Sequence, residues 1–182
     1  YSSNNKSNEL IIILRITSFK YDKLVLKTNL TQLIQSQNSQ IQEFNFTENH
    51  IKLIITNIKN IKTLAEQIKS IDNLEIDSIG SNSQVIKDTG DAKDLDNKHH
   101  ISQISGSHGI GHVRLATESI VDVTHSHPFW AYPFPDITVV HNGQLTNYRN
   151  LKRFYESKGH KFQTHNDSEL IAVYLAAAYK RN

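Results

Sequence analysis

Three places along the second half of the sequence carry residue types that can do chemistry. Arg114 sits within the run Val113-Arg114-Leu115. A guanidinium in an apolar strand needs a partner, and its planar fork fits a carboxylate through two parallel hydrogen bonds. That carboxylate can belong to a substrate, or to Asp136 or Asp167 of the chain itself, and the pattern leaves both open. Asn142-Gly143 follows the apolar run Ile137–Val140. It reads either as an ordinary turn or as a side-chain amide beside an exposed backbone N–H, a pair able to stabilise a developing oxyanion. Asp167 precedes a long apolar stretch, where it is either a helix cap or a carboxylate placed to receive an ammonium group.

The histidines raise the question of a metal. His125 and His127 are two apart and would share one face of a strand, and His108, His112 and His141 are candidates to join them. A catalytic site uses a recognisable ligand pattern such as HExxH, which is missing, so the reading is of histidines hydrogen-bonded in loops, with no metal and no cofactor. No GxSxG elbow, phosphate loop or dinucleotide fingerprint occurs. There is no cysteine, which excludes disulfides, thiolate metal ligands and a cysteine nucleophile within these residues.

The bulk properties narrow the class. With 182 residues, 37% of them apolar, the chain can build a core. A mean hydropathy of -0.48 is that of a polar globular protein. A net charge of +2 argues against nucleic acid or an anionic membrane as a partner. No apolar run approaches the roughly 20 residues needed to span a bilayer, and no signal peptide is visible, so a cytoplasmic location is expected. Residue 1 is Tyr and the chain lacks Met, which suggests a start at a cut rather than at a start codon.

The elements that must position the candidate residues follow from periodicity. Glu9–Thr17 and Ile51–Ile55 read as strands, as do Leu74–Ile79, Gln84–Lys87 and Lys161–Gln163; Lys23–Lys27 alternates and reads as a further strand or a continuation of the first. Leu30–Phe44 suggests a weak helix followed by a loop, Asn60–Ile71 an amphipathic helix, and Thr89–His100 a short surface helix. Gly109–Ala116 has strand alternation broken by glycines. Asn147 is placed to cap a helix over Tyr148–Ser157, with Leu151, Phe154 and Tyr155 inward. Asn166 or Asp167 caps Ser168–Tyr179, which is apolar almost all round and therefore buried or covered by a partner.

Taken together, GIGHVRLAT, SHPF, VVHNGQLTNY and NDSELIA, in this order and spacing, resemble the class II glutamine amidotransferases. With IGSNSQVIKDTGD upstream, the sequence looks most like the amidotransferase subunits of glutamate-synthase-like systems. The resemblance implies one amidotransferase domain over residues 1–182. Its fold would be α+β, an N-terminal-nucleophile (Ntn) hydrolase-like four-layer αββα sandwich of antiparallel sheets between helix layers, truncated at its N-terminus. It implies attack on the glutamine carboxamide by an N-terminal Cys thiolate, with the α-amino group as base (pKa about 7.7–8.0 when unperturbed), then a thioester and its hydrolysis. Arg114 would hold the glutamine α-carboxylate and Asp167 the ammonium. Asn142 and Gly143 would form the oxyanion hole, and Thr117 and His127 would line the pocket. The Cys would lie upstream, so these residues alone would be inactive, and ammonia would pass to an acceptor or synthase domain or subunit, in a hetero- or homo-oligomer. Leu115 and Glu118 depart from the usual family residues. Two alternatives are an inactive module that binds glutamine or another amino acid in a regulatory or scaffolding role, and, ranked below it, a hydrolase using Ser2.

Overall fold

The computed structural model describes residues 10–20, 22–113 and 122–180. Four strands form one antiparallel sheet: β1 (Ile12–Ser18), β2 (Gln40–Thr47), β3 (His50–Thr56) and β4 (Leu74–Gly80). Their order is β2-β3-β1-β4. Helix α1 (Lys23–Ser36) links β1 to β2 and α2 (Ile61–Lys69) links β3 to β4. This is the βαββαβ arrangement of ferredoxin-like folds, in which each helical crossover joins strands separated by a third.

The sequence makes this sheet by alternation. Ile12, Leu14 and Ile16 of β1, Ile51, Leu53 and Ile55 of β3, and Leu74 and Ile76 of β4 share one buried cluster with Leu26, Leu30 and Ile34 of α1 and Leu64, Ala65 and Ile68 of α2. Arg15 and Lys52, which alternate with these and pair in register, find polar partners instead. Arg15 donates to Gln84 Oε1 from Nε (3.1 Å) and from Nη2 (2.7 Å), and Lys52 pairs with Glu43 at 2.8 Å. This sheet therefore has one apolar face, covered by two helices, and one polar face.

Several local expectations change. Lys23–Lys27 is not a strand but the start of α1: the Asp22 carboxylate accepts from Leu24 N and Val25 N, and only Leu26 of the alternating residues turns inward. Gln40–Thr47, which overlaps the loop expected at the end of Leu30–Phe44, pairs along β3 as an edge strand. Gln84–Lys87 and Lys161–Gln163 are irregular, and so is the described part of the Gly109–Ala116 run. The helices over 60–71 and 89–100 are present as α2 and as α3 (Ala92–His99).

The second half builds a two-stranded antiparallel ladder of β5 (Phe129–Trp130) and β6 (Thr138–Val139) with helices α4 (Tyr148–Ser157) and α5 (Asp167–Tyr179). In α4 only Tyr155 is buried, while Leu151 and Phe154 are exposed, contrary to expectation. Asn147 makes no capping hydrogen bond. In α5 Leu170, Ala172, Val173, Ala176 and Ala177 are buried, whereas Tyr174, Leu175 and Tyr179 face outward. Among the described residues no helix is long and apolar enough to cross a membrane.

Two sets of contacts do most to join the halves among the described residues. Trp130 and Tyr132 insert into the core of the four-stranded sheet. The Asp136 carboxylate accepts the backbone N–H groups of Ser81 (3.0 Å), Asn82 (2.9 Å) and Ser83 (2.8 Å) in the turn after β4. Burial pushes the Asp136 pKa up, but the hydrogen bonds from Asn82, Ser81 and Ser83 outweigh it and hold the group below the ordinary aspartate value. Gly80 makes room for this clasp: a Cβ there would collide with the Asp136 carboxylate, meeting Cγ at 2.8 Å and the Asp136 backbone N at 3.2 Å.

Two outcomes are expected. Gly80→Ala should lower unfolding stability by about 1–3 kcal/mol in urea titration, because the pinned carboxylate cannot yield. Because the folded pKa of Asp136 is depressed, its contribution is complete above the unfolded value of 3.8 and fades as pH falls through the folded value. Asp136→Asn should therefore show a shallower loss of stability on acidification below about pH 4 than the parent protein, measured by thermal unfolding across pH.

Candidate active site

The N-terminus of α5 organises the second half. Glu169, in the first turn of α5, is 1% exposed. Its carboxylate accepts from Gln163 N (2.6 Å), Thr164 N (2.7 Å) and Thr164 Oγ1 (2.7 Å). A buried carboxylate is tolerated here because several donors and the positive end of the helix compensate the lost water. Thr164 Oγ1 in turn accepts from Asn166 N at 3.1 Å, and the Asn166 side chain caps the helix by accepting from Ser168 N at 2.9 Å. The segment before α5 is thereby fixed residue by residue.

The same helix end holds the loop after β6. Leu145 N donates to Asp167 Oδ2 at 2.6 Å, and His141 Nδ1 lies 3.1 Å from Ser168 Oγ. Gly143 packs against the His141 ring, where a Cβ would meet Nε2 at 2.7 Å. The ladder behind this loop is held close by small residues: Ala172 and Ala176 of α5 pack on Ala131, with Phe134, Ile137 and Val139 around them. Tyr155 of α4 and Leu170 and Val173 of α5 close the other side over Leu145 and Tyr148.

These contacts produce an open depression lined by Asn142, Gly143, Gln144, Leu145, Tyr148, His165, Asn166 and Asp167. Of the residues singled out in the sequence, Asn142, Gly143 and Asp167 are thus brought to one place. Asn142-Gly143 does not turn a hairpin: it lies in the connection from β6 to α4. Asp167 stands in the first turn of α5, with Asn166 as the cap. Its one short hydrogen bond leaves acceptor capacity on the carboxylate for a further donor. Asp136, the other intrachain candidate for Arg114, is engaged with the Ser81–Ser83 turn instead. Arg114 and Thr117, with Leu115 and Glu118, lie outside the described residues.

His127 is not among the residues lining this depression. It stacks on His112 with ring centroids 4.2 Å apart and meets Phe129 edge-on at 4.7 Å. His125 pairs with Asp122 at 2.9 Å and His108 with Ser107 at 3.0 Å. Among the described residues, none of His108, His112, His125, His127 and His141 belongs to a group of three converging ligands. Sequence reasoning assigned no individual role to Glu169 or Ser168, and considered His141 only as a candidate metal ligand. The signal for the first was present, since a Glu at the third position of a helix can bond back to preceding N–H groups.

A family model for the glutamine amidotransferase domain matches residues 77–180, more than half of the chain. The chain belongs to the glutamine amidotransferase domain family. It is 42% identical over 133 residues to a putative glutamine amidotransferase of Methanothermobacter thermautotrophicus, covering 71% of this chain and 44% of that protein. It is 40% identical over 105 residues to the glutamine amidotransferase-like protein GlxB of Rhizobium meliloti, covering 58% of this chain and 34% of that one. The isomerizing glutamine–fructose-6-phosphate aminotransferase of Methanococcus maripaludis is 32% identical over 114 residues, 63% of this chain and 18% of its own length. The chain therefore spans less than half of each of these relatives. The family match begins within β4, so most of the four-stranded sheet precedes it.

Glu169→Gln tests the keystone role. The amide keeps one acceptor oxygen but sets an NH₂ against donors, so unfolding stability should fall by about 1–3 kcal/mol. Thermal unfolding with the parent's transition temperature would reject that role.

Proposed function

We propose that this chain is the glutamine-gripping part of a glutaminase: a class II amidotransferase domain that hydrolyses glutamine and delivers ammonia to an acceptor domain or subunit. The observation that carries this reading is the meeting of Asn142, Gly143 and Asp167 around one depression within the region matched by the family. In this reading the glutamine ammonium sits on Asp167, at the negative group beside the α5 N-terminus. Arg114 binds the α-carboxylate through a bidentate pair, and Thr117 and His127 wall the pocket. A thiolate attacks the side-chain carboxamide carbon. The oxygen of the tetrahedral intermediate takes hydrogen bonds from the Asn142 side-chain amide and Gly143 N–H. Collapse expels the nitrogen as ammonia with a proton from the general base, leaving a glutamyl thioester. Water then releases glutamate and restores the thiol.

These 182 residues contain no cysteine. We assign the thiolate, with its α-amino group as base, to an N-terminal Cys upstream of them, and expect the 182 residues alone to be inactive. The stand-alone subunit form of glutamate-synthase-like systems is the assembly proposed, with the acceptor chemistry on a separate chain. The four-layer αββα sandwich is proposed for the amidotransferase region, with β5–β6 and α4–α5 contributing to a sheet and a helix layer. That residues 1–182 act as one domain draws support from the shared core around Trp130 and Tyr132.

The test uses protein carrying the upstream segment, with glutamate release measured against glutamine concentration. Asn142→Ala should lower kcat about 10²–10³-fold. Asp167→Asn should raise KM for glutamine about 10–100-fold, the loss of a hydrogen-bonded charge pair. Arg114→Ala should abolish turnover at low glutamine. Unchanged kcat in Asn142→Ala would reject the oxyanion assignment. Saturable glutamine binding with no glutamate release by the parent protein would replace the enzyme with an inactive glutamine-binding module.

A further inference from the structure

His50, Asp88 and His99 converge at a place unconnected with the depression described above. His50 opens β3, Asp88 lies in the irregular stretch after β4, and His99 ends α3. Their side chains are 10%, 7% and 2% exposed. Asp88 Oδ2 lies 3.3 Å from His50 Nε2 and 3.1 Å from His99 Nε2. All three atoms fall within 4.8 Å of one another. An ion with tetrahedral bonds of about 2.0–2.1 Å holds its ligand atoms about 3.3 Å apart, close to the measured edges of 3.3 and 3.1 Å. The two imidazoles meet at 77° with centroids 4.9 Å apart, so their ring edges converge rather than stack.

The hydrogen-bond chain behind His50 decides what its Nε2 presents. Thr17 Oγ1 donates its single hydrogen to Asp77 Oδ2 at 2.8 Å. With the Asp77 carboxylate as acceptor, the 3.2 Å contact of Thr17 Oγ1 with His50 Nδ1 is met by Nδ1–H as the donor. In the neutral ring Nε2 then carries a lone pair, directed at a carboxylate oxygen. Two lone pairs at 3.3 Å repel unless a cation lies between them. His99 can meet the same oxygen with an N–H, but His50 in this tautomer cannot. The Thr17–Asp77 relay is also the outer shell that orients a metal-bound histidine, whose second ring nitrogen donates to a fixed polar partner. Lys98 Nζ reaches Asp88 Oδ2 at 3.3 Å but also Glu48 Oε2 at 3.2 Å, so its ammonium can withdraw to Glu48.

We propose that His50, Asp88 and His99 bind one divalent transition-metal ion, of which Zn²⁺ is the type, with solvent in the fourth position. Two imidazoles and one carboxylate suit Zn²⁺ rather than Mg²⁺ or Ca²⁺, which prefer oxygen ligands. The ion ties α3 and the stretch preceding it to the start of β3, beside the Lys98–Glu48 pair. The competing arrangement is an imidazolium at His50, which places a proton where the ion would lie.

The experiment titrates chelator-stripped protein with ZnCl₂, reading stoichiometry by calorimetry and the unfolding temperature with and without Zn²⁺. One equivalent should bind and raise the unfolding temperature. His50→Gln and His99→Gln, which keep a donor near Asp88, should each lower affinity more than tenfold, and Thr17→Val should lower it about 10–100-fold by removing the relay. His108→Gln, at an exposed histidine, should leave binding unchanged. Lys98→Gln removes the competing ammonium from the surface side and should tighten binding; weaker binding in that variant would count against the site. Absence of stoichiometric binding by the parent protein, or binding indifferent to both His50→Gln and His99→Gln, would overturn the proposal in favour of the imidazolium pair.

Discussion

The second half of the chain depends on one buried carboxylate. Glu169 is withdrawn from water, and each of its short hydrogen bonds fixes a backbone or hydroxyl group of Gln163 or Thr164. An ionised group in that position is stable only if its donors stay in place, so the constraint runs in both directions. Fixed donors set the path of residues 163–166, that path sets the cap of α5, and the first turn of α5 then holds the loop after β6 through Asp167 and Ser168. A depression bordered by three separate stretches acquires a definite shape because one helix end binds all of them.

Much of this was legible in the residues, for reasons that can be named. β3, α2 and β4 alternate or repeat with the period of their final structure because one face of each is apolar and the other is not. Asn142, Gly143 and Asp167 each suit an ordinary turn or a helix cap, and they stood out because they fall in motifs whose order and spacing carry the family resemblance. What failed was local pattern without tertiary context. Lys23–Lys27 alternates by chance, and the Asp22 cap together with burial of Leu26, Leu30 and Ile34 makes it helical. β2 is Gln- and Asn-rich because an edge strand over a polar face needs little apolar content, so composition disguised it as loop. Leu151 and Phe154 have helical spacing, yet it is Tyr155, with Tyr148, that packs against α5. The His50, Asp88 and His99 group left no trace in sequence spacing, since only the pairing of β1 with β3 and β4 brings it together.

The four-stranded sheet stands in an instructive relation to the family match. Its topology is complete in itself, and its polar face carries Arg15, Lys52 and Glu43. Yet its apolar core is not closed by its own two helices: Trp130 and Tyr132 enter it from beyond the sheet, and Asp136 returns to bind the turn after β4. Burying two aromatic side chains this way is a large share of the free energy available to a small unit.

That insertion bears on where the protein can be divided. A boundary drawn at residue 77, where the family model's match begins, would run through β4, part-way along its pairing with β1. The fragment retained would keep every residue lining the depression but would uncover its only tryptophan, Trp130, beside Tyr132 and would detach from the sheet the Ser81–Ser83 turn that Asp136 binds. The family model marks where one match begins; the core shows that the structural unit extends upstream of that point, as does the similarity to the Methanothermobacter relative.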